Sequence, residues 1–340
     1  MILVCGEALI DLFVDGRSSS GLKTEAVAGG SPFNVAIALS RLGRGTAFCG
    51  GISQDSLGRI LTQRLASEGV DLSYVVHSDR MTTISVVATD ETGHPAYSFY
   101  GDGTADRQVT TADVPSRLPD AIEAITFGSY TMAVAPVADA FLALAQREGE
   151  RLTISVDLNV RPTVTPDMTE WRHRFEALLP YAAIVKASDE DLAMAYGTDA
   201  NIGDLIQRWQ AIGPQLIMVT HGEHGATGYL RGQKPVSVPG RKVHVVNTVG
   251  AGDTFHAAAL ASLAGIGRLT RHQLLRLTVS ELQLVLRYAV AASSLTCTRQ
   301  GADVPTAAEV DSILSEDAPQ SHLPGVEVVW RLETLLSAEP

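Results

Sequence analysis

The segment Asn247-Thr248-Val249-Gly250-Ala251-Gly252-Asp253-Thr254-Phe255 gathers residue types suited to chemistry within a chain of 340 residues. Three small residues run directly into an Ala-rich stretch, His256 to Gly265. The pattern predicts a helix whose first turn leaves backbone N–H groups unpaired, which is a place for an anion. A carboxylate repels phosphate, so Asp253 is out of place in a plain phosphate cradle. It makes sense where a hydroxyl must be deprotonated beside a phosphate held by Gly250, Ala251 and Gly252. Read alone, Asp253 fits an ordinary N-cap equally well.

Composition narrows the chemistry. Lys+Arg number 26 against 38 Asp+Glu, a net charge of −12, which argues against holding nucleic acid or an anionic membrane by bulk charge. Only four cations are lysine (Lys23, Lys186, Lys234, Lys242), and none follows a glycine, so a Walker A loop is excluded. The three cysteines (Cys5, Cys49, Cys297) are scattered and form no C-x-x-C, so neither a disulfide framework nor a zinc site is expected. The opening MILVCGEALIDLFV lacks a basic start and is interrupted by Glu7 and Asp11, unlike a signal peptide. A cytoplasmic protein without a membrane span is expected.

The elements that must position this chemistry follow from periodicity. Ile2–Val4 and Ala8–Val14 read as one buried strand interrupted at Gly6-Glu7. Ser31-Pro32 opens a helix to Leu42, and a second helix spans Leu57–Glu68. Thr83–Val87 and Ala96–Tyr100, joined at Glu91-Thr92-Gly93, read as a hairpin of a two-faced antiparallel sheet. Strand-like Ala124–Phe127, Thr153–Val156, Ala183–Val185 and Leu216–Val219 then alternate with helical Val137–Glu148, Trp171–Leu179 and Ile202–Ala211. Such alternation predicts an α/β fold with a parallel sheet covered on both faces.

Asn247–Phe255 resembles the late signature D-T-x-G-A-G-D-x-F of the ribokinase-like (PfkB) carbohydrate kinases. Gly29-Gly30-Ser31-Pro32-Phe33-Asn34-Val35-Ala36 resembles that family's early signature, G-G-x-x-x-N-x-A, about 220 residues earlier. The resemblance runs through Gly6-Glu7, Asp11, Gly51-x-x-x-Asp55-x-x-Gly58, Asp157-x-Asn159-x-Arg161, Thr220-x-Gly222 and Arg299-x-Gly301-Ala302, covering roughly residues 1–312. It implies a three-layer α/β/α sandwich with a mostly parallel central sheet. A small β-sheet lid, formed by about 12–27 and 81–107, and a C-terminal extension over 315–340 complete the expected organisation.

By the same resemblance, Asp253 is the catalytic base, and Gly250, Ala251 and Gly252 form the anion hole for the γ-phosphoryl group. Asp11, Gly29, Gly30, Asn34, Tyr97, Phe99 and Arg161 match the sugar-binding set. Lys186, Ser188, Thr220, Gly222 and Gly225 match the nucleotide site, with the helix over Val290–Thr298 as the other wall. His221 and His224, in the same loop, are expected to be solvent-exposed. ATP is the implied co-substrate and Mg²⁺ its metal. The family's N-x-x-E motif, which holds Mg²⁺ through water, appears as Ser188-Asp189-Glu190-Asp191; Asp191 is one methylene short, leaving Glu190 to help. Asn247 replaces an Asp that in this family takes part in a monovalent-cation site with the loop around Gly301, so any K⁺ dependence is expected to be weak.

The stretch Tyr97-x-Phe99-Tyr100-x-x-Gly103-Thr104-Ala105-Asp106-Arg107 resembles the lid strand of bacterial fructokinases, with Gly101 where many have Arg. An anionic sugar such as 2-keto-3-deoxygluconate would want a lid cation. Gly101 removes one while Arg107 remains, so neutral fructose is the expected acceptor. A 2-keto-3-deoxygluconate kinase and a nucleoside kinase are the alternatives on this fold. A non-catalytic sugar- or nucleotide-binding regulator is the alternative of another class. An NAD-dependent dehydrogenase is disfavoured because the third Gly of G-x-G-x-x-G is missing after Gly252. An apolar lid sheet is expected to pair as a homodimer.

Overall fold

Apolar runs four to seven residues long lie parallel through the centre of the protein. The computed structural model describes residues 1–18, 21–89 and 95–316. In chain order the strands are β1 (Ile2–Cys5), β2 (Leu9–Ser18), β3 (Gly21–Gly29), β4 (Thr46–Cys49), β5 (Gly51–Ser53), β6 (Val76–Ser78), β7 (Ile84–Thr89) and β8 (Pro95–Tyr100). They continue with β9 (Ala124–Gly128), β10 (Thr153–Asp157), β11 (Ala182–Ser188), β12 (Leu216–Thr220), β13 (Ala226–Leu230) and β14 (Val236–Val238). The helices are α1 (Ser31–Arg41), α2 (Ser56–Ser67), α3 (Val137–Glu148), α4 (Met168–Leu178), α5 (Asp189–Tyr196), α6 (Ile202–Ile212), α7 (Ala251–Gly265), α8 (Arg271–Leu274), α9 (Val279–Cys297) and α10 (Ala307–Glu316).

The large sheet has the order β14-β13-β12-β11-β10-β9-β1-β4. From β12 to β4 the strands are parallel, and β13 and β14 extend one edge antiparallel. Both faces are buried, as the apolar character of these strands requires. Alternation sends Ile2, Val4, Ile184 and Met218 into a core with Phe33, Phe255, Leu260 and Leu286 of α1, α7 and α9. Leu3, Phe127, Ile154 and Val185 face a second core with Phe141, Trp171, Phe175 and Trp209 of α3, α4 and α6. Helix α7 is buried around its whole circumference from Asp253 to Leu263, and its alanines let α1 and α9 pack close on either side.

A second sheet of order β3-β2-β7-β8 corresponds to the expected lid. Two expectations change here. Ile2–Val4 and Ala8–Val14 are not one interrupted strand. The chain leaves the large sheet at Gly6-Glu7, and β1 and β2 belong to different sheets. The small sheet is also mixed rather than antiparallel. The β2–β3 and β7–β8 pairs are antiparallel, but β2 and β7 run parallel. The turn expected at Glu91–Gly93 and the extension beyond Glu316 lie outside the described residues. Among the described residues, no helix is long and apolar enough to cross a membrane.

Candidate active site

Parallel strands bring their carboxyl ends to one edge of the sheet, where open α/β folds bind ligands. The ends of β9, β10, β11 and β12 meet the start of α7 there. Gly250 caps that helix with φ +76°, a left-handed conformation that favours glycine, and an added Cβ would stand 2.7 Å from the Ala302 Cβ. The Ala251 N–H is bonded to the Thr248 carbonyl at 3.2 Å. The amides left open, with no acceptor among the described residues, are those of Gly250, Gly252 and Asp253. The open set therefore differs from the expected 250–252 set in having Asp253 in place of Ala251.

Asp253 is 6% exposed and is held by side chains from three directions. Ser31 Oγ donates to its Oδ1 at 2.7 Å, Asn34 Nδ2 to its Oδ2 at 2.9 Å, and Asn159 Nδ2 to Oδ1 at 3.3 Å. Asn34 was expected on the sugar; its amide is directed at the Asp253 carboxylate. Ser31 and Asn159 were not singled out from sequence, although both lie inside the quoted motifs. Asn159 has φ +38°, a left-handed conformation rare for side-chain-bearing residues and most tolerated by Asn. That backbone turn carries its amide from the end of β10 toward α7.

Asp11, in β2, lies on the same side, and a Cβ at Gly29 would overlap its carboxylate. The close approach of β3 to Asp11 therefore requires glycine there. Burial raises the Asp11 pKa, with Asp253 adding to the rise and the Arg161 guanidinium opposing it. Arg161 likewise lowers the pKa of Glu7, whose carboxyl burial nevertheless pushes up to about 8. Asn34 therefore reaches Asp253 directly and Asp11 feels its charge, while Gly29 packs on Asp11 and Gly30 on Glu7, and Arg161 acts on both of those carboxyls. Phe99 lies on β8 with its ring edge-on to Tyr130 at 6.2 Å. Tyr97, also on β8, is the register partner of Val87 on β7, and its side chain lies outside the described part of the protein.

The expected nucleotide residues occupy the neighbouring strand ends. Lys186 Nζ pairs with Asp157 at 3.0 Å, and a Cβ on Gly252 would come within 3.1 Å of the same nitrogen. A buried ammonium therefore stands beside the open amides. Burial pushes Asp157 up to about 7 against the pull of Lys186. The Lys186 pKa is raised by Asp157, Asp191 and Asp253 despite its burial, so the ammonium stays charged. Ser188 and Thr220 are register partners at the ends of β11 and β12, and Gly222 and Gly225 form the turn into β13 with φ +54° and +99°. His224 is exposed as expected. His221 is not: its ring bonds Asp189 at 2.7 Å and Thr227 at 2.9 Å, which fastens this turn to the start of α5. The Val290–Thr298 stretch is the last part of α9 and its capping residue, and Ser293 Oγ donates to the Ala251 carbonyl at 2.9 Å.

Asp191 is buried and engages both oxygens with protein donors. Ser188 supplies its N–H and Oγ in a capping box, and the Val160 N–H donates at 2.8 Å. It thereby anchors the turn that presents Asn159 and Arg161. Glu190 is exposed. The described residues contain no cluster of three His, Cys, Asp or Glu that could hold a metal by themselves. His256, one turn beyond Asp253, is buried between Thr126 Oγ1 (2.8 Å) and Ser155 Oγ (3.3 Å). Burial pushes its pKa down to about 3, so it stays neutral.

The parallel sheet, the small second sheet and the helix N-terminus at its carboxyl edge together define a ribokinase-like sugar-kinase fold. The model of the pfkB family of carbohydrate kinases matches residues 1–308, and the chain belongs to that family. It is 41% identical over 273 residues to a fructokinase of Rhizobium leguminosarum bv. trifolii, covering 80% of this chain and 82% of that one. Fructokinase-1 of Oryza sativa is 31% identical, with 91% and 96% of the two chains covered. Among solved structures, the fructokinase of Xylella fastidiosa with bound ATP superposes with a TM-score of 0.84 at 29% identity, covering 94% of this chain and 99% of that one. A Vibrio cholerae fructokinase double mutant with fructose, ADP and potassium gives 0.77 at 26%, covering 92% and 97%.

Proposed function

We propose that this protein transfers the γ-phosphoryl group of ATP to the 6-hydroxyl of fructose, with Asp253 as the base. The carrying observation is a buried carboxylate, fixed by Ser31, Asn34 and Asn159, beside open amides and the Lys186 ammonium. Asp253 would take the proton from the attacking hydroxyl as its oxygen bonds the γ-phosphorus and the bond from that phosphorus to the bridging oxygen breaks, ADP leaving with the electron pair. The amides of Gly250, Gly252 and Asp253, with Lys186, would meet the charge gathering on the phosphoryl oxygens. Such transfer depends on positioning and electrostatic stabilisation more than on covalent chemistry. Asp11 would accept sugar hydroxyls, with Gly29 and Gly30 allowing backbone approach and Phe99 closing from the lid. Ser188, Thr220, Gly222 and Gly225 would line the nucleotide side.

Mg²⁺ bound with ATP supplies neutralisation of phosphate charge. Mg²⁺ usually takes one or two carboxylates and completes its shell with phosphates and water. The donor set fits that mode: Glu190 is open to it, while Asp191 orients the 159–161 turn. Asn247 accepts the Val249 N–H at 2.7 Å through its only side-chain oxygen, which supports a weak K⁺ dependence. Arg107 is buried over the Tyr130 ring, packs on Gly101 and pairs with exposed Asp102, so it is already engaged without a sugar carboxylate. That favours a neutral ketohexose. Exposed Leu22 and Tyr100 on the small sheet support a homodimer through the lid; a strict monomer by gel filtration at micromolar concentration contradicts it.

An ADP-release assay over fructose, ribose, 2-keto-3-deoxygluconate and adenosine tests the assignment. The expected result is highest kcat/KM with fructose. Preference for another acceptor reassigns the substrate, and no release with any of them favours a binding protein.

A further inference from the structure

The motif Gly103-Thr104-Ala105-Asp106-Arg107, which the proposed transfer does not use, forms a separate buried cluster where the small sheet joins the large one. Asp106 is 1% exposed. Thr83 Oγ1 donates to its Oδ1 at 2.5 Å and Tyr130 OH donates to its Oδ2 at 2.7 Å. The Thr104 hydroxyl lies 2.9 Å from Oδ1 and 2.7 Å from the Gly101 carbonyl, sharing its proton between them. Thr83 immediately precedes β7, and Thr104 closes the turn that follows β8. Tyr130 belongs to the short 3-10 turn Ser129–Met132, which leaves β9 of the large sheet. One carboxylate therefore ties both ends of the β7–β8 hairpin to the core.

The same tyrosine carries the contacts that matter to the sugar site. Phe99 lies edge-on to its ring, and the Arg107 guanidinium stands 5.2 Å from its centroid. Next to Thr83, Thr82 is fixed by Asp55 at the start of α2, its N–H at 2.9 Å and its hydroxyl at 2.8 Å. The base of the hairpin is thus rigid although its outer surface is exposed.

We propose that Asp106 is the positioning residue that sets the small sheet, and Phe99 with it, over the sugar. The proposal rests on the sugar-kinase assignment. Asp106 touches no reacting atom; it acts through Thr83, Thr104 and Tyr130. Buried hydrogen bonds to an ionised group are strong, and removing their common acceptor leaves three hydroxyls without it. Without the latch, the hairpin pivots on Asp55 and Thr82, fructose is held less well, and water reaches the phosphoryl group.

The test compares wild type with Asp106→Asn, Asp106→Ala and Tyr130→Phe in the full chain. Tyr130→Phe keeps the ring contacts with Phe99 and Arg107 and loses one bond to the latch. A loss of about tenfold in fructose affinity is expected for Tyr130→Phe and more for Asp106→Ala, in keeping with the strength of a hydrogen bond to a charged group. The ratio of ADP released to sugar phosphate formed should rise above that of wild type. Hydrogen exchange should quicken in β7 and β8 and stay unchanged in β9–β12. If Asp106→Ala fails to fold, Tyr130→Phe decides. Unchanged fructose KM, coupling ratio and β7–β8 exchange in the folded variants overturn the proposal, as does faster exchange spread evenly over both sheets. Failure of wild type to phosphorylate any sugar overturns the underlying assignment, while the exchange comparison still judges the latch.

Discussion

Asp253, the proposed base, and Phe99, a proposed sugar contact, lie in two regions that the protein holds by different means. Asp253 sits in the first turn of a fully buried helix, and its carboxylate takes hydrogen bonds from α1 and from the end of β10. Phe99 lies on a small sheet whose outer residues, Leu22 and Tyr100 among them, are exposed. That sheet reaches the core through a few crossings, at Gly6-Glu7, Gly29-Gly30, Thr82-Thr83 and Gly101–Asp106. The base is over-determined by the core, whereas the lid is tethered at its edge. Damage at the base should therefore fall on kcat with little change in fold, and damage at the lid on sugar affinity and water exclusion.

The sharpest break of this contrast is expected at Gly250. Gly250→Ala puts a side chain on a left-handed cap and against Ala302, displacing the open amides. The turnover of sugar phosphate should fall by about 10²–10³-fold, the scale for losing an oxyanion-type donor. Steady-state assays with saturating substrates check this; wild-type kcat would remove these amides from the chemistry. Asn159→Ala should be milder, lowering kcat by about tenfold through a less well-oriented base, in line with the loss of one hydrogen bond to a charged group. Its fructose KM should stay within a factor of about two of wild type, because neither the lid nor Asp11 is touched. A rise in KM without a fall in kcat would place Asn159 on the sugar instead.

The smallest expected effect on turnover lies at the junction of the two regions, where the change is read in stability against pH. Glu7 ionises near the usual 4.5 in the unfolded chain and near 8 in the fold, chiefly because it is buried. Between those values the folded protein keeps a proton the unfolded chain has lost. Glu7 therefore contributes a loss of stability as pH rises across that window, levelling off above it. Glu7→Gln should flatten this slope, so its melting temperature should gain on wild type from pH 5 to pH 8.5. A constant difference across that range would contradict the assignment.

Sequence alone disclosed the parts of this site that are contiguous. Gly250–Asp253 could be read because a helix start, its open amides and its carboxylate lie within four residues. The strands β9–β12 were readable because an all-buried parallel strand is a short apolar run. Ser31 and Asn159 were not, since they meet Asp253 from 222 and 94 residues away, and nothing local in a helix-start serine or a post-strand asparagine specifies that meeting. The available signal was their place inside the two quoted motifs, Gly29–Ala36 and Asp157–Arg161. The parting of β1 from β2 was missed because apolar residues flank Gly6-Glu7 on both sides, hiding a change of sheet inside one hydrophobic run. The antiparallel edge escaped notice because β13 is interrupted by Gly228 and β14 is only three residues long. The proposed sugar-binding roles of Asp11 and Arg161 were legible only through family resemblance, and Arg161 alone fits a surface salt bridge equally well.

The central claim is that Asp253 removes the proton from the sugar hydroxyl during transfer. Asp253→Asn keeps the shape of the side chain and an acceptor for Ser31 or Asn159 while losing the base. Calorimetric binding of fructose and ATP to this variant, measured beside its kcat, is the most direct test. Near-normal affinities with turnover reduced by about 10²–10⁴-fold, the usual contribution of general-base catalysis, are the expected result. Wild-type turnover in a variant that binds both substrates would contradict it.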